Sequence, residues 1–584
     1  MKKIAIISPI ILIFLFIAYQ YILQDFTPNK STIYTNAKII TVNKKNPVAE
    51  AMFIHEGKIE AIGSNQEITS LQKKGIEVVD LQRQTVMPGF IDPHTHPALS
   101  ALLSEMVDLS GFKHKSNQEV WDYLQEVVAN TKEGEWIVCK GIDPILVEDL
   151  KVPNIQYLDK IAPNNPVVLL AQSLHSYWAN TAVFEKVGID KQTPNPSKLS
   201  YYDKDANGNL TGLIVEQVAF KPFLETMKEE VFTVPKLTAA IGNTMKDYAL
   251  QGNTTVVSTG LTINDEKSLM LFEHLSSKTS NFMGMLLEKL GFLPTRTPLP
   301  RHFIYLRHDF PVLKKSASKD DFYNIIGIKH WYDGSPYIGT MYLNEPYQTS
   351  DLTQNELHIP EGHKGKALIE KAELTEFIEE YHNKGWQIAV HTQGDAAIEE
   401  VLEVFEEVNQ KVDISQGRHR LEHCLLLPES NIDQLKTLNI TPSFHINHLY
   451  YYGDALKESM LGAERAEKIL PIRNVQDKGI VYSLHADQPM FASRPFRLMQ
   501  TAIERKTQRG NILGEKEAIE RMDALKALTI DAAWQIHRED KIGSLEVGKY
   551  ADFIIVDKNP FEVPVSELET IEVLKTYING NEVK

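Results

Sequence analysis

Apolar positions fall into two kinds of run along this chain. From residue 32 to 85 they form short stretches broken by turns: "TIYTNAKIITVN", "AMFIHEGKIEAIGS" and "GIEVVDLQRQTVMPG", with Gly57 and Gly63 as punctuation. The C-terminus has the same character. "IGSLEVGKYADFIIVDKNP" is followed by "EVLKTYINGNEV", in which Asn579-Gly580 predicts a hairpin turn. Between these ends lie the apolar runs "TVMPGFID", "NTTVVST", "FMGMLLE", "NIIGIKHW", "WQIAVHT", "RHRLEHC", "ITPSFHI" and "GIVYSLHAD". Helical patterns such as Glu370 to Lys384 and Ala396 to Val408 separate several of them. This alternation predicts eight β/α units closed into a TIM barrel. Residues 100–245 do not fit one barrel helix, and "NPVVLLAQ" within them reads as a strand.

The expected fold class is therefore α/β: a TIM barrel, a composite β-sandwich domain built from both termini, and an α/β insertion after the first strand. The expected boundaries are 1–30 for an N-terminal segment, 31–85 plus 538–584 for the β-sandwich domain, and 86–537 for the barrel, with the insertion at about 100–245.

Composition adds a few constraints. A chain of 584 residues can bury a large core, and 43% apolar with 24% charged residues is ordinary for a globular protein. The net charge of −16 argues against a nucleic-acid partner and says little else, and the expected partner, a small-molecule substrate, comes from the site chemistry below. Oligomerisation is left open. Cys139 and Cys424 are the only cysteines, so there is no disulfide framework and no CxxC motif. Lys2 and Lys3 precede Ile4 to Leu23, a run of 20 residues without a charge. As a helix that run would span about 30 Å, the thickness of a bilayer core. It predicts a signal anchor that holds the chain in the membrane with the catalytic body on the outer side. The alternative is a cleaved signal and a secreted or periplasmic product.

Candidate chemistry sits at the ends of the apolar runs. In "MPGFIDPHTH", His94 and His96 are two apart, so on a strand they project from one face. The fourth run carries Lys329, the fifth ends at His391, the sixth at His423 and the eighth at Asp487. A barrel gathers the C-terminal ends of its strands at one mouth. Any one of these residues alone reads as a packed histidine, a helix cap or a surface lysine. Together, in this order, they predict a metal site.

These segments resemble a known family. "MPGFIDPHTH", "IKHWYDGS", "IAVHTQGDAAIEEVL", "RLEHC", "SLHADQP" and the closing "IGSLEVGKYADFIIVD" are similar to the amidohydrolase superfamily, in particular the amidohydrolase family 3 branch, from about residue 34 to 584. The resemblance implies a barrel with a β-sandwich and a site holding one or two divalent ions, expected to be zinc. His94 and His96 match the ligands of the first strand. His391 and His423 match those of strands five and six. Asp487 matches the strand-eight acid, which is both a ligand and the catalytic base. Lys329 matches a lysine that bridges two ions once carbamylated. An ammonium would repel cations, whereas a carbamate offers an anionic oxygen pair, and burial favours the free amine it forms from. Zinc suits neutral imidazoles and lowers the pKa of bound water from about 15.7 to roughly 7.

The chain departs from the family at "HAD", where many relatives have Gly-Ser-Asp. His485 thus shares a face with Asp487 and is a candidate substrate contact. His175 and Asn180 in "LLAQSLHSYWANTAV", and Glu216, match positions in the family's insertion that face the pocket. His445 and His448, with the tyrosines of "FHINHLYYYGD", are candidates for a substrate wall. Arg420 and Glu422 are candidates to orient His423.

The expected activity is cleavage of the C–N bond of an amide, formamide or cyclic amide. Ester or lactone hydrolysis on the same site is the alternative. A deaminase, or a non-catalytic binding protein on the same fold, is the further reading.

Overall fold

The structure is a computed structural model that describes residues 31–197, 200–232, 234–261, 266–277, 282–293, 296–317 and 321–583. Its centre is an eight-stranded parallel sheet in chain order: β1 (Phe90–Thr95), β2 (Asn253–Thr259), β3 (Arg301–Arg307), β4 (Tyr323–Trp331), β5 (Gln387–Thr392), β6 (Arg420–His423), β7 (Thr441–His445) and β8 (Ser483–His485). Each strand pairs with the next, and β8 comes to lie against β1, which makes a nearly closed barrel. Every residue of β1, β2, β5, β6, β7 and β8 is buried, as expected for parallel strands covered on both faces. The helix Asp395–Asn409 follows β5 and buries Ile398, Val401, Leu402, Phe405 and Val408, one stripe at helical spacing.

The third strand differs from the reading of the sequence. "FMGMLLE" lies in a helix, Phe282–Lys289, and the barrel's third strand is "RHFIYLR". Met, Leu, Glu and Lys are good helix formers, and this helix buries Met285 while leaving Phe282 and Met283 exposed. Arg301 disguised the true strand, because a charge at its start reads as surface. The side chain is in fact fully buried against Asp552, with Nε to Oδ2 at 2.6 Å and Nη2 to Oδ1 at 3.2 Å.

Between β1 and β2 the insertion forms its own six-stranded sheet, which includes Val167–Ala171 from the "NPVVLLAQ" segment. The two termini meet in another six-stranded sheet, where Phe553–Val556 pairs with Thr85–Pro88. The predicted hairpin joins Val573–Ile578 to Asn581–Glu582. Asn579 and Gly580 both take positive φ, 51° and 72°, as a two-residue turn between twisted strands requires.

One expectation is corrected. The segment read as a membrane anchor, residues 4–23, lies outside the described residues. Among the described residues no helix is long and apolar enough to cross a membrane. The longest, Val234–Leu250, has 17 residues, or about 25 Å, short of the roughly 30 Å needed. Membrane anchoring with the body on the outer side is therefore not supported, and the secreted or periplasmic alternative rested on the same segment.

Candidate metal centre

At the C-terminal mouth of the barrel, imidazoles surround the carboxylate of Asp487. Its Oδ1 lies 3.1 Å from His96 Nε2 and 3.5 Å from His94 Nε2, and its Oδ2 lies 3.8 Å from His423 Nδ1 and 3.9 Å from His445 Nδ1. Among the described residues, three groups have ligand atoms close enough to share a cation: His94 with His96 and Asp487, His423 with His445 and Asp487, and His94 with His423 and His485. His423 and Asp487 both hold left-handed backbone, at φ 74° and 56°. Such conformations cost about 1–3 kcal/mol in a residue other than glycine and concentrate at functional sites.

The donor set fits a metal. Lys329 Nζ, His423 Nδ1, Asp487 Oδ1 and both ring nitrogens of His445 and His485 are buried and make no well-formed hydrogen bond. Buried polar atoms are otherwise almost always paired, so a cluster of such donors suits a cation better than it suits a core. Burial is the largest influence on His94, His423 and His485, and it holds all three imidazoles neutral, the form that binds metal. Burial also lowers the Lys329 amine to about 8, against the pull of Glu422 and Asp487. For Asp487, burial raises the pKa, but the imidazoles of His96, His445 and His485 outweigh it and hold the acid below the usual carboxylate range. His96, Asp487 and His391 keep 15%, 14% and 11% of their side-chain surface open, whereas His94 and His423 keep 1% and 3%. That open edge is the side from which a substrate can approach.

The sequence model of the amidohydrolase family matches residues 77–584. The chain belongs to the amidohydrolase family. It is an enzyme, a metal-dependent amidohydrolase of the kind that acts on carbon–nitrogen bonds other than peptide bonds. It is 26% identical over 562 residues to an N-substituted formamide deformylase of Arthrobacter pascens, covering 95% of this chain and 98% of that one. It is also 26% identical over 574 residues to the protein LONG AFTER FAR-RED 3 of Arabidopsis thaliana, covering 97% and 94%. An uncharacterized metal-dependent hydrolase from Pyrococcus horikoshii OT3 shares the fold, with a TM-score of 0.69 at 23% identity over 92% of this chain and 99% of that one.

In this amidohydrolase the supports of the site are charged and buried. Glu422 Oε2 accepts from His94 Nδ1 at 2.6 Å and from Arg420 Nη2 at 3.0 Å, while Arg420 Nη2 also donates to the Pro93 carbonyl at 2.9 Å. Arg420 and Glu422 thus orient His94 rather than their sequence neighbour His423. Glu422 points into the barrel and reaches His94 on β1, across from β6 rather than on a strand beside it. Asp333 plays the same part for His391, accepting from its Nδ1 at 3.1 Å and from the backbone N–H groups of Gln393, Gly394 and Tyr342. His391 lies outside the three cation-capable groups, and this bond leaves Nε2 as its one nitrogen for an ion. Asp333 escaped the reading of the sequence, although a carboxylate four residues past Lys329 in "IKHWYDGS" was the available signal. Asp92 was missed as well. Its Oδ2 accepts from Ser493 Oγ at 2.6 Å, which ties β1 to the loop after Asp487.

The remaining candidates divide between the insertion and the barrel mouth. Asn180 caps the helix Thr181–Val187 through Val183 N, and its amide donates to the carbonyls of Ala162 and Asn165 within the insertion. His175 pairs with Glu216, Nδ1 to Oε2 at 3.0 Å, both partly open to solvent and both in the insertion. His448 is spent on Tyr337 and Gln393, and Tyr452 donates to Asp143 at 2.6 Å. His445 and His485 lie among the metal-capable imidazoles themselves.

Proposed function

We propose that this amidohydrolase is a zinc-dependent hydrolase of an amide, formamide or cyclic amide, with His94, His96, Lys329, His391, His423 and Asp487 holding one or two ions. The observation that carries the reading is the convergence of buried imidazoles on the Asp487 carboxylate at one barrel mouth, with several ring nitrogens left without a well-formed hydrogen bond. The formamide deformylase among the relatives supports the choice of a formamide within the class. A divalent ion bound here supplies a charge that polarises a carbonyl and makes a water acidic.

The protein's own groups do the rest. Lys329, fully buried and lowered to about 8, has free amine available near neutral pH to add CO₂ and shed a proton. The resulting carbamate turns a repelling cation into an anionic ligand. Asp487 is ionised, so it can accept the proton of the attacking water and pass it to the departing amine nitrogen. His96 holds its Oδ1 from 3.1 Å. Glu422 and Asp333 fix the tautomers of His94 and His391, leaving Nε2 of each ring for the site.

A hydrolysis screen on zinc-loaded protein tests this reading. N-formyl amines, N-acyl amines and cyclic amides should be run beside matched esters and lactones. Amine release from one of the amide classes is expected. Turnover confined to esters and lactones would contradict the reading.

A further inference from the structure

Asp487 separates two sets of imidazoles, one on each carboxylate oxygen. His94 and His96 face Oδ1, as the family pattern implies. Oδ2 faces His423 Nδ1 at 3.8 Å and His445 Nδ1 at 3.9 Å. His445 ends β7, a strand from which that pattern takes no ligand.

The distances discriminate between two roles. An N–H···O hydrogen bond spans about 2.7–3.2 Å, so neither contact is one. Two ligands each at about 2.0–2.2 Å from one zinc stand about 3.3–3.6 Å apart at a tetrahedral angle and about 4.0–4.4 Å apart in line, with opened angles between. Both contacts fall inside that interval. The ligand atoms of His423, His445 and Asp487 also lie within 4.8 Å of one another.

Among the described residues the Ala486 backbone is the one group that acts on the His445 ring as a hydrogen-bond partner, and that contact is not well formed. His445 is 1% exposed, and neither ring nitrogen makes a well-formed hydrogen bond. Its neighbour His448, 4.0 Å away between ring centroids, is already bonded to Tyr337 and Gln393. Phe491 covers another side at 5.4 Å. His485 also has two unbonded nitrogens, but its ring stacks on His94 at 4.5 Å and 14°. The in-plane lone pairs of two such rings lie in nearly parallel planes, which meet at one ion less well than those of inclined rings. The rings of His423 and His445 are inclined at 52°, which allows convergence.

We propose that His445 is a metal ligand, and that His423, His445 and Oδ2 of Asp487 form a cation site beside that of His94 and His96, with Oδ1 left to take the proton. This rests on the reading of the protein as a metal-dependent hydrolase, and it makes the β7 histidine part of the binding set rather than of a substrate wall.

The test is diffraction from crystals of the zinc-loaded chain, measured at the zinc edge. Two anomalous peaks are expected, one of them within about 2.0–2.2 Å of both His445 and Asp487 Oδ2. In parallel, His445→Gln should retain its circular dichroism and hold about one ion after dialysis where the parent holds about two. Peaks that leave His445 unliganded, or equal metal content in a folded His445→Gln and its parent, would overturn the proposal. If the variant does not fold, the parent crystals decide alone. A single ion at His94 and His96 would overturn the second site and leave the hydrolase reading intact. A chain that binds no metal and turns over without it would overturn both.

Discussion

Glu422 Oε2 lies 2.6 Å from His94 Nδ1, and the two side chains are 0% and 1% exposed. Arg420 grips the same carboxylate from Nε at 2.8 Å, so a buried cation, anion and imidazole run from the barrel interior to the metal centre. Glu422→Gln removes the anion and leaves the Arg420 charge uncompensated. Breaking a buried pair in this way costs about 3–5 kcal/mol, and loss of a group that orients a ligand weakens metal binding about 10–100-fold. Urea denaturation and zinc titration read the two effects separately. Unchanged zinc affinity in the folded variant would show that His94 is held by packing alone.

Asp487→Asn keeps the size of the side chain and one oxygen but cannot accept a proton. A general base contributes about 10²–10⁴-fold, or about 2.7–5.4 kcal/mol. The variant should lose kcat by that factor at saturating zinc, with metal content measured beside the rate. A folded, zinc-loaded variant with the parent's kcat would move the proton shuttle to another residue.

Lys329→Ala should lose most of the second ion, because a neutral methyl replaces the group read as a bridging carbamate. Bicarbonate should speed zinc reconstitution of the parent chain and leave the variant unaffected. Equal bicarbonate effects on both would argue against carbamylation.

His302 and His419 are fully buried on the barrel strands and their flanks, and burial pulls each to about 3. His302 is bonded to Ser258 Oγ at 2.6 Å, and His419 Nδ1 accepts from Ile388 N at 3.0 Å. Their folded pKa values lie below the unfolded value of about 6.5. The unfolded chain therefore takes up protons that the native chain cannot. Their contribution to stability is present above pH 6.5 and is lost as pH falls toward 3. At pH 5 the loss is about 2 kcal/mol for each. Denaturation midpoints between pH 5 and 7.5 should fall accordingly, with a shallower slope in His302→Gln. An identical slope in that variant would rule His302 out as a source of the acid sensitivity.

The barrel was legible because its strands are buried on both faces and read as continuous apolar runs, with chemistry-bearing residues at their ends. The third strand was not, because Arg301 is neutralised by Asp552, a partner 251 residues away that no local pattern reveals. The same limit applied at the site. His94, His423 and Asp487 announce themselves at strand ends, whereas the supports are set by register between strands. Glu422 sits beside His423 in sequence but serves His94 across the barrel, and Asp333 serves His391 from a loop 58 residues earlier. Asn180 was a pocket candidate through the resemblance of its segment to the family's insertion, with a helix start as the other reading, and here it caps a helix.

The central claim is that the barrel mouth is a metal-dependent hydrolytic site, and one titration tests it most directly. Zinc per chain and the rate of N-formyl amine hydrolysis should be followed together as a chelator removes the metal and as zinc is returned. The account predicts that both fall in step and both recover, while the circular dichroism of the chain is unchanged. A rate that persists after the metal has gone, or metal that leaves without affecting the rate, would contradict it.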